Sequence, residues 1–142
     1  MTRRQLRESI FKALFRMEFN TPEEWKEQLE FHLQELAEQE QEDGTIVFAE
    51  EQDLEYVRQK TTDVYSHLEE LDATIEAYTE GWKLNRIGKA ELAILRLAVY
   101  EIQFDDEVPQ GVAINEAVEL SKLYCDDAKG FVNAVLGKLV KE

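Results

Sequence analysis

Residues 109–139 read PQGVAINEAVELSKLYCDDAKGFVNAVLGKL and give the clearest fold signal in this chain of 142 residues. Apolar side chains recur at three- and four-residue steps on both sides of an acidic corner at Asp126 and Asp127. This spacing predicts two amphipathic helices, each of which buries one face. The acidic corner is typical of a helix cap, and the amides that follow it, beside Lys129, are suited to an anion such as phosphate. A cap without a ligand is the alternative interpretation.

The composition indicates a chain that folds around a core of its own. Hydrophobic residues make up 44% of the sequence, and two prolines and six glycines leave little material for linkers. No apolar run approaches the roughly 20 residues of a membrane helix, and the N-terminus lacks the apolar region of a signal peptide. We therefore expect a soluble, cytoplasmic protein without membrane contact. Cys125 is the only cysteine, which excludes an internal disulfide and indicates a small packing residue.

The net charge of −15 argues against a general nucleic-acid-binding protein, but the charge is unevenly distributed. Residues 1–16 hold five basic side chains and one acidic one, whereas residues 18–80 hold three basic and twenty acidic ones. Any contact with nucleic acid must therefore be local. The acidic stretch is expected to be a solvated face, and docking of a basic partner protein is the alternative.

The basic N-terminus falls on a predicted helix over about residues 3–19. At 100° per residue, three arginines and two phenylalanines lie together on one flank of that helix: Arg3, Arg4, Arg7, Phe11 and Phe15. Guanidinium groups neutralise phosphate and stack on bases, and aromatic rings offer stacking platforms, which is the combination that binds single-stranded RNA. The alternative is a solvated cationic helix start with both rings buried.

A capping box marks the start of the second predicted helix. Thr21-Pro22-Glu23-Glu24 has proline at the first helical position, and the helix is expected to continue to about Gln41. His32 lies close to its apolar stripe, where a buried histidine with a hydrogen-bond partner is favoured over a ligand. The apolar run at 46–48 is predicted to be a loop tucked against the helices.

Three more helices are predicted before residue 109. The third covers about residues 53–70, and a break at Leu71-Asp72 precedes a short fourth helix. A fifth helix, over about residues 90–104, is apolar on all sides and belongs at the centre of a bundle. Arg96 in its middle is expected to pair with a carboxylate.

Catalytic patterns are lacking in this sequence. It has no glycine-rich phosphate loop, no nucleophile elbow and no metal-type cysteine or histidine spacing. His67 and Glu70, one helical turn apart, are the nearest candidate and are interpreted as a surface pair. We expect no enzyme, no metal and no cofactor.

Several sequence blocks resemble the transcription antitermination factor NusB family in order and spacing. The blocks are ILRLAVYE at 94–101, VP at 108–109, VAINEAVEL at 112–120 and FVNAVL at 131–136. The start, RRQLRE at 3–8 followed by ALF at 13–15, is also similar to that family. The resemblance implies an all-α fold of about six or seven helices in two small bundles, over about residues 1–80 and 81–142.

The resemblance further implies an RNA-binding antitermination factor. It would pair with the ribosomal protein NusE on single-stranded boxA RNA, join the elongating RNA polymerase complex and support ribosomal RNA transcription, with a homodimer as a possible free state. The implied RNA-binding residues are Arg3, Arg4, Arg7, Asp127, Lys129 and Phe131. The implied partner-binding residues are Phe11, Phe15 and Glu91. Asn115 and Asn133 are expected to form hydrogen bonds inside the bundle. A helical protein–protein adaptor with an acidic docking face and no RNA contact is the alternative.

Overall fold

The computed structural model describes residues 1–140, and over these residues the predicted all-α fold is confirmed. Seven α-helices follow one another: α1 Arg3–Met17, α2 Trp25–Ala37, α3 Glu51–Ser66, α4 Leu68–Tyr78, α5 Lys89–Phe104, α6 Gln110–Tyr124 and α7 Lys129–Val140. Short 3₁₀ turns lie at Pro22–Glu24, Leu84–Arg86 and Asp126–Ala128. Two three-residue strands, β1 Glu38–Glu40 and β2 Ile46–Phe48, pair as an antiparallel hairpin. Within 1–140, no helix is both long enough and apolar enough to cross a membrane.

The chain divides into two compact units, Met1–Asp63 and Val64–Glu142. Residues 64–80, which the sequence analysis placed with the N-terminal bundle, group with the second unit.

In the first unit, α1 packs against α2. Thr2 caps α1: its Oγ1 accepts the Gln5 backbone N–H at 3.1 Å, and Gln5 Oε1 accepts the Thr2 N–H at 2.8 Å. The predicted capping box at Thr21 is also present, although it opens the 3₁₀ turn and α2 begins only at Trp25. Both boxes satisfy backbone donors that a helix start leaves unpaired.

His32 is a buried histidine with a polar partner, as predicted. Its Nε2 lies 3.0 Å from Ser9 Oγ, and both side chains are buried. Burial lowers the pKa of His32, because the surrounding apolar groups disfavour the charged imidazolium.

The hairpin corrects the prediction of a loop tucked against the helices at 46–48. β1 pairs with β2 in the register Glu38–Phe48, Gln39–Val47 and Glu40–Ile46, and all six residues are exposed. The turn depends on Gly44, whose φ of 85° is readily adopted only by glycine. Asp43 supports the turn, since its Oδ1 accepts the Thr45 N–H at 2.9 Å. These turn residues stabilise a pairing for which β1 itself has little propensity.

The predicted helix break at Leu71-Asp72 was wrong. α3 ends at Ser66 and α4 begins at Leu68, so the break lies at His67. Leu71 is fully buried inside α4, and the Asp72 carboxylate binds Arg96 instead of capping a helix.

The second unit is built around α5, which packs against α4, α6 and α7. Between Leu92 and Glu101, nine of the ten residues of α5 are buried and Arg96 is the exception. This agrees with the prediction of a central helix. Arg96 pairs with Asp72, as predicted. α6 and α7 also pack together, and the buried Ser121 hydroxyl donates to the Ala117 carbonyl at 2.9 Å.

Candidate nucleic-acid interface

The three N-terminal arginines lie in the first two turns of α1. Arg3 and Arg4 are exposed, and Arg7 is half-buried. The Arg3 guanidinium lies 5.8 Å from the centre of the Tyr56 ring, and its Nη1 donates to the Tyr56 hydroxyl at 3.4 Å. Tyr56 thus orients one guanidinium group while leaving it open to solvent. Because the Thr2 cap fixes the helix start, the positive groups extend from an ordered backbone.

An aromatic row follows the arginines along α1. The Phe11 and Phe15 rings are stacked with their centres 6.0 Å apart, and the Phe15 and Phe19 rings meet edge to face at 5.2 Å. Phe11 is only 1% exposed, which corrects its placement on a partly exposed flank. The buried apolar face of α1 is wide enough to include Phe11. The Phe11 ring therefore packs against Phe15 and is not itself available to a partner. Phe15 is half-buried, whereas Phe19, which the sequence analysis did not select, is exposed.

The acidic corner in the second unit is a 3₁₀ turn over Asp126–Ala128 that leads directly into α7. Lys129 Nζ donates to Asp126 Oδ1 at 3.0 Å, and both side chains are about half exposed. Asp127 is exposed. Phe131 is half-buried, with its ring centre 6.3 Å from that of Trp82. The corner therefore presents one cation, two carboxylates and an aromatic ring close to a helix N-terminus.

A cleft of about 490 Å³ lies between α6 and α7 and includes Lys129. Its remaining lining residues are Gly111, Ile114, Asn115, Val118, Lys122, Gly130 and Asn133. Asn115 and Asn133 are exposed on its walls, which corrects their expected place inside the bundle. Their amides and the two ammonium groups, each paired with a surface carboxylate, supply hydrogen-bond donors that suit phosphate and base edges at the rim of a mainly apolar cleft.

Sequence reasoning missed Lys122 and the two asparagines as cleft residues, although a signal was present. Positions 111, 115, 118 and 122 of α6 recur at three- and four-residue steps, so they share one helix face. The face was interpreted through its apolar neighbours alone. Neither glycine of the cleft has another group within 4 Å of the place where a Cβ would lie, so ligand backbone can approach closely there.

Glu91, an implied partner-binding residue, turns back toward the start of α5. Its carboxylate covers Gly88, so closely that a Cβ at Gly88 would collide with it. It also interacts with the Cys125 thiol. Burial, followed by the negative charge of Glu91, raises the pKa of Cys125 to about 11. The thiol is thus protonated at neutral pH, in keeping with a packing residue.

His67 directly precedes α4 and faces Glu70 in the first turn of that helix. His67 Nδ1 lies 3.4 Å from Glu70 Oε1, the predicted surface pair, and the His67 ring stacks on Phe104 with centres 4.0 Å apart. Across the described part of the chain, no three histidine, cysteine, aspartate or glutamate side chains are grouped as metal ligands would be.

Comparison with known proteins gives consistent matches over the whole chain. A family model described as the NusB family matches residues 4–141. The transcription antitermination protein NusB of Agathobacter rectalis is 45% identical over 139 residues, which cover 97% of this chain and 98% of that protein. The protein of the same name from Lachnoclostridium phytofermentans is 44% identical over 141 residues, which cover 99% of each.

Solved structures agree with these relatives. NusB of T. maritima superposes with a TM-score of 0.83 at 33% identity, covering 100% of this chain and 92% of that one. A complex of the antitermination factors NusB and NusE with dsRNA contains a chain that matches with a TM-score of 0.73 at 27% identity, covering 99% of this chain and 98% of its own. Because the family model and the relatives match almost from end to end, this chain belongs to the NusB family.

Proposed function

We propose that this chain is an RNA-binding transcription antitermination factor. It pairs with the ribosomal protein NusE on boxA RNA, joins the elongating RNA polymerase complex in the cytoplasm and supports transcription of ribosomal RNA. This role rests on the end-to-end likeness to proteins named transcription antitermination protein NusB. A solved complex contains NusB, NusE and dsRNA together, which supports NusE and RNA as partners of this chain. The chain acts by binding and not by catalysis.

Two sets of residues, one in each unit, supply the proposed RNA contacts. Arg3, Arg4 and Arg7 in the first unit offer three positive groups on an ordered helix start. In the second unit the cleft offers Lys122 and Lys129 beside two amides and the Asp127–Phe131 corner. The chain as a whole carries a net charge of −15, which repels RNA, so binding has to be confined to such local positive sites.

The proposed contacts to NusE are, in the first unit, a surface on the Phe15 side of α1 and, separately in the second unit, Glu91. Phe15 is held by ring contacts on both sides, from Phe11 and Phe19, so its position is set before any partner arrives. A preordered aromatic side chain loses little conformational freedom on binding, which favours affinity. We include the exposed Phe19 in this surface.

Titration of a labelled boxA RNA, with and without NusE, tests this role. We expect binding that strengthens when NusE is added, and for the three arginines a slope of log K against log salt of about −2, at roughly −0.7 per phosphate contact on a single strand. Light scattering of the free chain in the same buffers tests the expected homodimer. Binding of NusE without any RNA affinity in either titration would instead support a protein–protein adaptor.

The arginine assignment is tested by Arg4→Gln beside Lys12→Gln. Both changes remove one positive charge from α1, but Lys12 lies on another side of the helix, within 3.9 Å of Glu8. Loss of a charge-assisted contact weakens RNA binding about tenfold in Arg4→Gln, and Lys12→Gln retains nearly full affinity. Equal losses in the two variants would show that overall charge, not the flank, determines affinity.

A further inference from the structure

The β1–β2 hairpin in the first unit exposes three consecutive apolar side chains. Ile46 is 50% exposed, Val47 49% and Phe48 67%. Apolar residues of this size are usually scattered singly on a protein surface, and a contiguous group marks a binding site or an aggregation risk. The hairpin shares no residue with the RNA contacts or the NusE surface proposed above, so neither of those roles explains this exposure.

The register places apolar and acidic side chains on one face of the hairpin. Side chains that face each other across an antiparallel pair lie on the same side of the sheet, and successive residues alternate sides. Glu38 faces Phe48 and Glu40 faces Ile46, so these four side chains share one face. Val47 lies on the opposite face, together with Gln39.

The same register directs backbone groups of β2 away from β1. Ala49 N–H donates to the Ala37 carbonyl at 3.0 Å, and Gln41 N–H donates to the Thr45 carbonyl at 2.7 Å. Since bonded and non-bonded pairs alternate along an antiparallel ladder, the Glu38–Phe48 and Glu40–Ile46 pairs are non-bonded. The N–H and carbonyl groups of Ile46 and Phe48 therefore point out from the free edge of β2, where an added strand would bind.

The charge around this edge determines which occupant fits. Residues 38–51 contain six acidic side chains and no basic one: Glu38, Glu40, Glu42, Asp43, Glu50 and Glu51. A second copy of the hairpin would bring two such groups together, and like charges that face each other across a sheet are destabilising. Nucleic acid is disfavoured for the same reason. A positively charged protein segment is complementary.

We propose that the hairpin is a docking site for an extended, basic segment of another protein, which adds as a third strand beside β2. Main-chain hydrogen bonds to Ile46 and Phe48 supply affinity, and apolar side chains of the segment cover these two residues. Lysine or arginine side chains of the segment reach Glu38 and Glu40 on the same face and Glu50 beyond the end of β2.

The test uses the full chain and synthetic ten-residue peptides. The probe, VTKTVTKTVT, places valine and lysine together on one face and threonine on the other; a second peptide has glutamate in place of each lysine, and a third has the probe sequence with N-methylated amides on its pairing edge. We expect the valine–lysine peptide alone to shift the backbone amide resonances of Ile46 and Phe48 and to slow their hydrogen exchange. No change at these amides, or equal changes with all three peptides, would overturn the docking site.

Matched variants separate the two faces of the hairpin. Phe48→Ser removes an exposed apolar side chain from the proposed face, and Val47→Ser removes a half-exposed one from the opposite face. We expect Phe48→Ser to weaken the valine–lysine peptide about tenfold and Val47→Ser to leave its affinity within about twofold. Both sites are exposed, and circular dichroism checks that both variants fold. Equal effects would overturn the proposed face.

Charge variants test the acidic half of that face. Glu38→Gln with Glu40→Gln is compared with Glu23→Gln and Glu27→Gln, which remove the same charge from exposed positions at and before the start of α2. We expect about tenfold weaker peptide binding in the first pair only. If the acidic residues serve instead to keep the edge strand from pairing with other copies, the first pair will self-associate without any loss of peptide affinity, which would overturn the proposal.

Discussion

Arg96 on α5 and Asp72 on α4 form a two-point ion pair. The Arg96 Nε and Nη2 donate to the two carboxylate oxygens of Asp72 at 2.8 and 3.0 Å. The side chains are only 14% and 21% exposed, so solvent screens the pair much less than a surface pair. This contact joins two helices of the second unit at a point where each is otherwise packed through apolar groups.

Removal of one partner leaves a largely buried charge, so Asp72→Ala is expected to lower the free energy of unfolding by about 2 kcal/mol. Urea unfolding followed by circular dichroism measures the change. Glu76→Ala, at an exposed position of the same helix, is the control and should change stability by less than about 0.5 kcal/mol. The double variant Asp72→Ala, Arg96→Met should recover part of the loss, because no charge is then left unpaired. A double variant as unstable as the sum of the single ones would contradict this account.

The burial of His32 makes the stability of the protein depend on pH. Burial lowers the pKa of His32 from the ordinary value of 6.5, so the unfolded chain binds a proton more readily than the folded one. The contribution of His32 is therefore fully present above about pH 6.5 and is lost as the pH falls from there toward the lowered pKa. His32→Gln should remove the part of the fall in unfolding free energy at acidic pH that is due to His32.

The measurement for His32 is urea unfolding at several pH values from 7.5 to 5. Carboxylates also titrate at the acidic end, so the informative quantity is the difference between the wild type and His32→Gln. His67→Gln, a change at the other histidine of the chain, leaves the Ser9–His32 contact in place. This variant should therefore lose as much unfolding free energy through His32 at acidic pH as the wild type does. If the pH profiles of the wild type and His32→Gln run parallel, His32 does not contribute.

The helices could be predicted because their apolar spacing agrees with the packing. α5 is apolar on all sides and lies at the centre of the second unit, and Arg96 in its middle pairs with a carboxylate. The break near residue 70 was misplaced for a tertiary reason. Asp72 was taken as a cap, but its carboxylate is used by Arg96, a residue 24 positions away, and local sequence does not show such a partner.

Neither the hairpin nor the burial of Phe11 could be predicted from the sequence, because each depends on how separate segments pair or pack. β1 reads EQE and has no strand signal, so its pairing depends on the turn at Gly44 and on β2. Phe11 lies beside the main apolar stripe of α1. Whether its side chain is buried depends on how much of the helix surface the neighbouring elements cover. The arginine flank followed from helix geometry alone, whereas the cleft between α6 and α7 needed two helices in place. The assignment of either site to RNA stays a prediction.

Cys125 is expected to react slowly with alkylating reagents. Its pKa of about 11, against an ordinary value of 9.0, lowers the thiolate fraction at pH 8 about a hundredfold, and the thiolate is the reactive form. Iodoacetamide labelling followed by mass spectrometry should therefore be about a hundred times slower in the folded chain than in urea.

Glu91→Gln removes a negative charge that favours the protonated thiol of Cys125, so labelling should be faster and its pH midpoint lower. Glu107→Gln, at an exposed position after α5, is the control. Unchanged kinetics in Glu91→Gln would show that burial alone protects the thiol.

The lysines of the α6–α7 cleft offer the last test, because their present partners are weak. Lys122 pairs with Glu119 at 3.2 Å and Lys129 with Asp126 at 3.0 Å, and all four side chains are 40–60% exposed. Exposed pairs of this kind contribute about 0–1 kcal/mol, so a phosphate can replace either carboxylate at little cost.

We therefore expect Lys122→Gln with Lys129→Gln to weaken boxA RNA binding about tenfold to a hundredfold and to reduce the magnitude of the salt slope by about 1.4, or 0.7 per lost contact. Lys83→Gln with Lys138→Gln, which removes two positive charges from exposed positions outside the cleft, is the charge-matched control. Folding should be unaffected, because the lost ion pairs lie on the surface. A salt slope equal to that of the wild type would remove the cleft from the RNA surface and leave the α1 arginines as its only proposed cations.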